Sequence, residues 1–331
     1  MEKNRDSKKM NQKKEKSKIW LTLFCICLGV VILASGILCI QYLDSRAANK
    51  QLSSLQEAAN EQADASVALD ENADGSREAV NGNAGDGQTD INRLTDNRAG
   101  ETAGYSEKQD NSGETGENLE QGKNTDAANL TEVQGIKIPE KNLDWDKLHE
   151  ENGDIYAWIY VPDTTVDYPV LQHPTDNSYY LNHNMNGTKG YPGCIYTENF
   201  NSRDFSDIHT VIYGHNLKDK SMFSTLHNFE NEELFGEDHY IFIYTEENVF
   251  VYRIFAAYEF SAIHLLDNFD YTNEYVYEDY LKKIYQTTDR VANVRTDIQV
   301  TAADRIVTLS TCTEDHDSER RFLVTGVLVN P

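Results

Sequence analysis

The pattern of hydrophobic and polar positions divides the chain into three parts. An uncharged run of 22 residues, 19–40, lies near the N-terminus. A long polar stretch follows, and from about residue 136 onward apolar residues return in short runs with the spacing of strands and helices. The pattern therefore predicts one helix of membrane length, one segment without a hydrophobic core and one folded domain, 136–331.

Most apolar runs of the folded domain have the alternation or the β-branched composition that is typical of strands. Strands are predicted at 155–161, 165–172, 208–215, 239–245, 249–261, 306–312 and 321–329. Helices are predicted at 143–152, 176–183, 221–229 and 275–286. Strands outnumber helices and do not alternate with them, which favours a mostly β fold, a mixed antiparallel barrel with helical decoration.

The uncharged run has the properties of a transmembrane anchor, predicted at 19–41. At ~1.5 Å per residue it spans roughly 33 Å, against a bilayer core of about 30 Å. Residues 1–18 hold 8 Lys and Arg against 3 Asp and Glu, so they are predicted to stay in the cytoplasm with the folded domain outside. A cleaved signal peptide is the alternative, but its apolar region is usually shorter, about 7–15 residues. A lipoprotein signal at Cys39 lacks small residues directly before the cysteine.

The stretch 42–135 is predicted to be an acidic, disordered linker. Residues 51–135 carry 18 Asp and Glu against 5 Lys and Arg, and Tyr105 is their single aromatic residue. Such a composition buries too little apolar surface to offset chain entropy, although 44–62 can continue the membrane helix. The functional interpretation is a spacer between membrane and domain, and the alternative is a segment that only adds solubility. The net charge of −25 argues against nucleic acid binding.

Three features of the folded domain carry possible chemistry. Cys312 ends one predicted strand, His215 follows another, and the pair Arg320-Arg321 opens the last one. A thiolate is a nucleophile, a histidine can protonate a leaving amine, and an arginine can stabilise an oxyanion. Taken singly, each residue could equally be core filler or surface charge.

The remaining cysteines have ordinary explanations. Cys25, Cys27 and Cys39 lie in the apolar run, and Cys194 is expected to pack in the core, with regulatory oxidation or a bridge to Cys312 as alternatives. Cys312 and His316 would give zinc two ligands, fewer than the three or four protein ligands it needs, so no metal and no cofactor is predicted.

Several motifs resemble those of sortases. "TLSTC", the closing strand "RFLVTGVLV" and the upstream "YGHN" are similar to sortase motifs, while "NGDIYAWIYVPDTTVDYPVLQ", "DNSYYLNHNMNG" and "GCIYTENFNS" resemble the class B branch. The likeness covers about 140–331. It implies an eight-stranded barrel with N-terminal helices and a helix before the seventh strand.

The resemblance also implies roles for single residues. Cys312 matches the nucleophile, His215 the catalytic histidine, and Arg321, five residues before Gly326, the arginine, with Arg320 as the alternative. Family members often carry an acidic residue shortly after the cysteine; here Thr313 follows, then Glu314 and Asp315, so whether either carboxylate has that role is left open. The residues matching the peptide groove are Asn177, Leu181, Tyr213, Thr272 and Ser310.

The implied function is that of a membrane-anchored cysteine transpeptidase of a Gram-positive cell. It would cleave surface proteins after the Thr of an NPxTx or (S/N)PxTG sorting motif through a thioacyl-enzyme. It would then join them to a cell-wall amine of the lipid II type. The alternatives are a pilin-polymerising sortase, a cysteine peptidase with water as the acceptor, and a wall-binding module without activity.

Overall fold

The computed structural model of the protein describes residues 2–73 and 131–330. Among the described residues, 2–66 and 131–330 belong to one compact unit. Most of the segment predicted to be a disordered linker, 74–130, lies outside the described residues.

Helix α1, Glu2–Ala73, contains the apolar run and continues well beyond it. Within Ile26–Glu61 it is long and apolar enough to cross a membrane, which is consistent with anchoring. Residues 44–62 continue the helix, as the sequence allows, and 63–73 are helical as well, where the average composition predicts disorder. A stripe of apolar residues three and four positions apart packs the first of these segments on the folded domain, at Ala48, Leu52, Leu55 and Ala59.

The barrel begins after a short hairpin and a short helix. Strands β1 (Glu132–Val133) and β2 (Ile136–Lys137) form the hairpin, and α2 spans Trp145–Glu151. The side chain of Asp144 caps α2 by accepting a hydrogen bond from the N–H of Lys147. The helix ends at Asn152, before Gly153, as the sequence predicts.

Eight strands form a closed barrel, as the resemblance implies. Their order is β11-β10-β6-β5-β4-β3-β7-β8, and β8 pairs back with β11. A further strand, β9 (Ala292–Val294), pairs with β8. The barrel strands are β3 (Ile155–Tyr160), β4 (Asp167–Leu171), β5 (Ile195–Thr197), β6 (His209–Tyr213), β7 (Tyr240–Tyr244), β8 (Val249–Ser261), β10 (Ile306–Cys312) and β11 (Arg320–Leu328).

Helices cover the outside of the barrel. Helix α3 spans Glu232–Phe235, α4 spans Leu265–Asn268, and α5, Glu274–Tyr285, precedes β10, the seventh barrel strand. The helices predicted at 176–183 and 221–229 are 3₁₀ helices, Tyr179–Leu181 and Ser224–Glu230. Cys194 is buried as expected, and burial raises the pKa of its thiol to about 12.

Asp167 ties four parts of the molecule together. Its carboxylate accepts hydrogen bonds from the indole of Trp158 at 2.7 Å, the Nζ of Lys141 at 2.8 Å and the amide of Asn60 at 2.8 Å. The side chain of Lys141 is only 3% exposed, so its charge depends on this one carboxylate for compensation. The group thus joins β3, β4, the segment before α2 and helix α1.

We expect Asp167→Asn to lower the free energy of unfolding by about 3–5 kcal/mol, because the buried ammonium of Lys141 then lacks its counter-charge. Urea denaturation followed by tryptophan fluorescence measures this change. Glu247→Gln, in the exposed turn between β7 and β8, is the control and should stay within about 0.5 kcal/mol of the parent. An Asp167→Asn variant as stable as that control would contradict the assignment.

Candidate active site

The parallel pairing of β6 with β10 brings His215 and Cys312 to one edge of the barrel. The register runs from Ile306 opposite His209 to Ser310 opposite Tyr213. Both strands therefore end at the same edge. Cys312 is the last residue of β10, and His215 follows β6 by two residues.

The antiparallel pairing of β10 with β11 places Arg321 directly opposite Cys312. The N–H of Gly214 donates to the carbonyl of Ser310, so the even-numbered residues of β10 direct their main-chain groups toward β6. Cys312 and Arg321 are accordingly a pair without mutual main-chain hydrogen bonds. Such pairs have Cα atoms about 4.5 Å apart and side chains close together on one face.

The two neighbouring arginines have different surroundings. Arg320 binds the carboxylates of Glu259 at 3.1 Å and Asp289 at 2.9 Å, and Glu259 is only 2% exposed. Arg321 donates to the main-chain carbonyls of Ser318 and Arg320, and it forms no salt bridge with any described residue. Arg320 is thus held as a structural ion pair, whereas the charge of Arg321 lacks a partner beside the thiol.

Gly214 lets the chain pass close to two packed side chains directly before His215. A Cβ at this position would lie 2.5 Å from Ile195 and 2.6 Å from Phe223, too close for any other residue. The Nε2 of His215 lies 2.9 Å from the carbonyl oxygen of Leu181. Because a carbonyl can only accept, the Nε2–H donates in this contact.

Two side chains that sequence analysis missed hold the peptide of Cys312. The carbonyl of Cys312 accepts from the amide of Asn216 at 3.3 Å and lies 3.0 Å from Nε2 of His227. The Nδ1 of His227 contacts the carboxylate of Glu230 at 2.5 Å, and its ring stacks on Phe322. Strand β6 has already ended here, so these side chains replace the missing main-chain partner. Asn216 belongs to the motif "YGHN", so the sequence could have indicated its role. No motif or spacing in the sequence points to His227.

The acidic residues after the cysteine have other partners. Asp315 accepts from the hydroxyl of Thr313 at 2.8 Å and pairs with Arg290 at 2.9 Å, and these contacts lower its pKa to about 2. Glu314 forms an exposed pair with Lys220. Neither carboxylate contacts His215 in the structure.

Four of the predicted groove residues lie along one path that leads to the site. Tyr213 and Ser310 are paired across β6 and β10, and Leu181 contacts His215. Asn177 accepts a hydrogen bond from the N–H of Asn199 at 2.8 Å. The preceding residue, Glu198, accepts one from the hydroxyl of Tyr213 and pairs with His264. Burial raises the pKa of Glu198, and His264 opposes that rise.

Thr272 lines a large cavity that adjoins this path. Its hydroxyl donates to Asp270, and Phe200 and Phe269 line the same cavity of about 950 Å³. The ring of Phe200 lies 5.3 Å from that of His264, which pairs with Glu198, the acceptor of the Tyr213 hydroxyl. In the described part of the chain, the hydroxyl of Thr272 bonds to Asp270 and to none of the other four residues.

A thiol, an imidazole and an unpaired guanidinium at one rim of a barrel form a site suited to acyl transfer through a thioester. Among the residues that the structure describes, no group of three or more His, Cys, Asp or Glu side chains could hold a metal ion. The arrangement defines a cysteine-dependent enzyme of the acyl-transferring class.

Comparison with known proteins gives the family. The sequence model of the sortase domain matches residues 159–329, more than half of the chain. The chain is 37% identical to the sortase B of Listeria monocytogenes over 208 residues, 62% of this chain and 80% of that protein. It is 29% identical to the sortase B of Staphylococcus aureus over 187 residues, 56% of this chain and 74% of that protein. The chain belongs to the sortase family of cysteine transpeptidases, in its class B branch.

Similar solved structures include the sortase B of Clostridium perfringens, with a TM-score of 0.48 and 32% identity, covering 56% of this chain and 99% of that one. A Staphylococcus aureus sortase B–substrate complex has a TM-score of 0.48 and 27% identity, covering 56% of this chain and 84% of that one.

We expect His227→Phe to loosen the end of β10 while its ring still stacks on Phe322. Loss of one hydrogen bond to the carbonyl of Cys312 costs about 1 kcal/mol, so local opening should increase roughly fivefold. Hydrogen exchange of the peptide that contains residues 312–318 measures it by mass spectrometry. His227→Gln, whose amide can donate to the same carbonyl, should restore protection. Unchanged exchange in His227→Phe would show that Asn216 alone holds this peptide.

Proposed function

We propose that this class B sortase cleaves surface proteins after the Thr of an NPxTx or (S/N)PxTG sorting motif and joins them to a cell-wall amine. The observation that carries the proposal is the placement of Cys312 opposite Arg321, with His215 at the same edge. The three functional groups that thioester chemistry requires are therefore together.

In the first half of the proposed reaction, the Sγ of Cys312 attacks the carbonyl carbon of the motif Thr. The unpaired guanidinium of Arg321 stabilises the developing oxyanion with fixed N–H donors. His215 donates a proton to the departing amine as the C–N bond breaks. A thioester between Cys312 and the Thr remains.

In the second half, an amine of a lipid II type precursor attacks the thioester. His215 takes up a proton from that amine, the new amide forms, and the thiolate of Cys312 leaves. Water in place of the amine would make the enzyme a peptidase, and a lysine of another subunit would make it a pilin polymerase. The protein groups are the same in all three cases, so the acceptor distinguishes them.

The motif peptide would lie along the path of Leu181, Tyr213, Ser310 and Asn177 that leads to the thiol. Support comes from the contact of Leu181 with His215 and the pairing of Tyr213 with Ser310. Thr272, which the resemblance also assigns to this groove, would contact the peptide from the adjoining cavity that it lines with Phe200.

The proposed location is the cell membrane, crossed once. Residues 19–41 would anchor the protein, with 1–18 in the cytoplasm and the catalytic domain, 136–331, outside. The uncharged run inside α1 and its basic N-terminal flank support this orientation.

The roles of the two arginines can be separated. Arg321→Lys should lower kcat/KM for cleavage of a motif peptide by about 10²–10³-fold, because a point charge replaces the fixed donors at the oxyanion. Arg320→Lys, the matched control one residue away, should change kcat much less, since Arg320 binds Glu259. Equal losses of kcat in two folded variants would reject the assignment.

The acceptor can be identified by incubating the wild-type protein with a panel of NPxTx and LPxTG peptides. Each reaction also contains either a diaminopimelate-type amine or oligoglycine, and its products are measured by mass spectrometry. An amide-ligated product is expected on one motif, and Cys312→Ala should give neither ligation nor a thioester adduct. Cleavage without ligation to any of the amines would favour the peptidase.

A further inference from the structure

Helix α1 contacts the folded domain beyond the end of the apolar run. Ser45 is five residues beyond Ile40, or ~7.5 Å along the helix, and its hydroxyl donates to the carbonyl of Tyr191 at 2.7 Å. Tyr191 lies beside the site, with its ring 5.5 Å from that of His215. The first turns beyond the apolar run thus contact a loop of the active site.

The contact continues for four more turns of the helix. Ala48 is 7% exposed and Ala59 is 2% exposed, so both are covered by the folded domain. The amide of Gln56 donates to the carbonyl of Asp167 at 2.6 Å, and the N–H of Asn142 donates to the carbonyl of Ala59 at 2.9 Å. This part of α1, residues 42–61, is therefore built into the catalytic domain.

The order of these segments changes the interpretation of the acidic stretch. The docked part of α1 precedes that stretch, and the described residues 2–66 and 131–330 belong to one unit. The contact between the apolar run's helix and the catalytic domain is therefore made before the acidic stretch begins, whereas a spacer would have to lie between them.

One face of the domain lies level with the end of the apolar run. A cavity of about 870 Å³ between α1 and the barrel is lined by Leu38 and Tyr42 of the helix and by Tyr191, Lys218 and His316 of the barrel loops. Leu38 belongs to the uncharged run itself. Because this residue and the barrel loops line one cavity, those loops must lie at the level of the membrane surface.

The composition of these loops suits that position. Tyr191 is 62% exposed, as aromatic residues at a membrane interface are. Lys189 and Lys218 place two cations on this face, beside Asp219, while the third lysine, Lys220, is paired with Glu314. Lysines near a bilayer are attracted to anionic headgroups.

We propose that residues 42–61 dock the catalytic domain against its own membrane, with the face formed by 189–192 and 216–221 in contact with anionic lipid headgroups. The rim that carries His215 and Cys312 is then held at the height of the headgroup layer, within reach of a membrane-linked amine. The inference rests on the anchoring proposed above.

A disulfide tests the docking. A Cβ on Gly190 would lie 3.9 Å from the Oγ of Ser45, so cysteine side chains at the two positions would be in contact. We would introduce Ser45→Cys and Gly190→Cys into the full chain in phosphatidylglycerol nanodiscs, with Cys25, Cys27, Cys39 and Cys312 replaced. A protease site inserted in the acidic stretch then lets a non-reducing gel show whether the two halves stay joined. The matched control pairs Gly190→Cys with Ser53→Cys, an exposed position two turns along the helix.

Crosslinking of the first pair and not of the control is the expected result. Equal crosslinking of both pairs, or none in either, would overturn the docked arrangement.

Energy transfer tests the height above the membrane. A fluorophore on Lys218→Cys should transfer strongly to headgroup-labelled lipid in the same nanodiscs, and one on Ala303→Cys weakly, since Ala303 lies at the far end of β10. Cys25, Cys27 and Cys39 are replaced, and Cys312 is masked as a mixed disulfide during labelling and then released by reduction. Equal transfer from both positions would overturn the proposed contact.

Cleavage of a motif peptide by the same labelled samples distinguishes failure of the membrane contact from failure of the proposed reaction. Active enzyme with equal transfer rejects only the membrane contact. Strong transfer from position 218 without cleavage supports that contact and rejects the proposed reaction.

Discussion

The active site depends on one strand pairing, the parallel register of β6 with β10. Parallel strands cannot be joined by a tight turn, so the chain between them forms β7, β8, α4 and α5 before it returns. As a result of this parallel pairing, His215 and Cys312, 97 positions apart in the sequence, lie at the same edge of the barrel. Antiparallel pairing of the same strands would have placed His215 and Cys312 at opposite ends.

At this edge, where the main-chain pairing of the sheet ends, side chains supply the remaining hydrogen bonds and ion pairs. Main-chain pairing of β10 with β6 stops at the bond from Gly214 to Ser310, two residues before the carbonyl of Cys312. Asn216 and His227 supply the next contacts, and Glu259 holds Arg320 so that Arg321 remains unpaired. These residues hold the proposed catalytic groups in place without reacting themselves.

Helix α1 shows how average composition can hide a structural element. Residues 42–73 belong to a stretch whose average composition predicts disorder because it buries little apolar surface, although 44–62 can continue the membrane helix. A stripe with helical spacing nevertheless lies within it, at Ala48, Leu52, Leu55 and Ala59. The stripe is too sparse to indicate a partner by itself, because two of its four side chains are alanines. Only the surface of the barrel, built from distant strands, makes it a packed face.

The sequence by itself determined the strand-rich domain, the helix before β10, the class B sortase resemblance and the positions of Cys312, His215 and Arg321. These follow from local hydrophobic periodicity and short motifs, which the chain carries within a few neighbouring residues. The tertiary structure alone decided that Glu259 binds Arg320 while Arg321 forms no salt bridge with any described residue, and that His227 contacts the carbonyl of Cys312. Each of these outcomes depends on which distant side chains meet, and that is set by strand register and barrel closure, which local patterns do not encode.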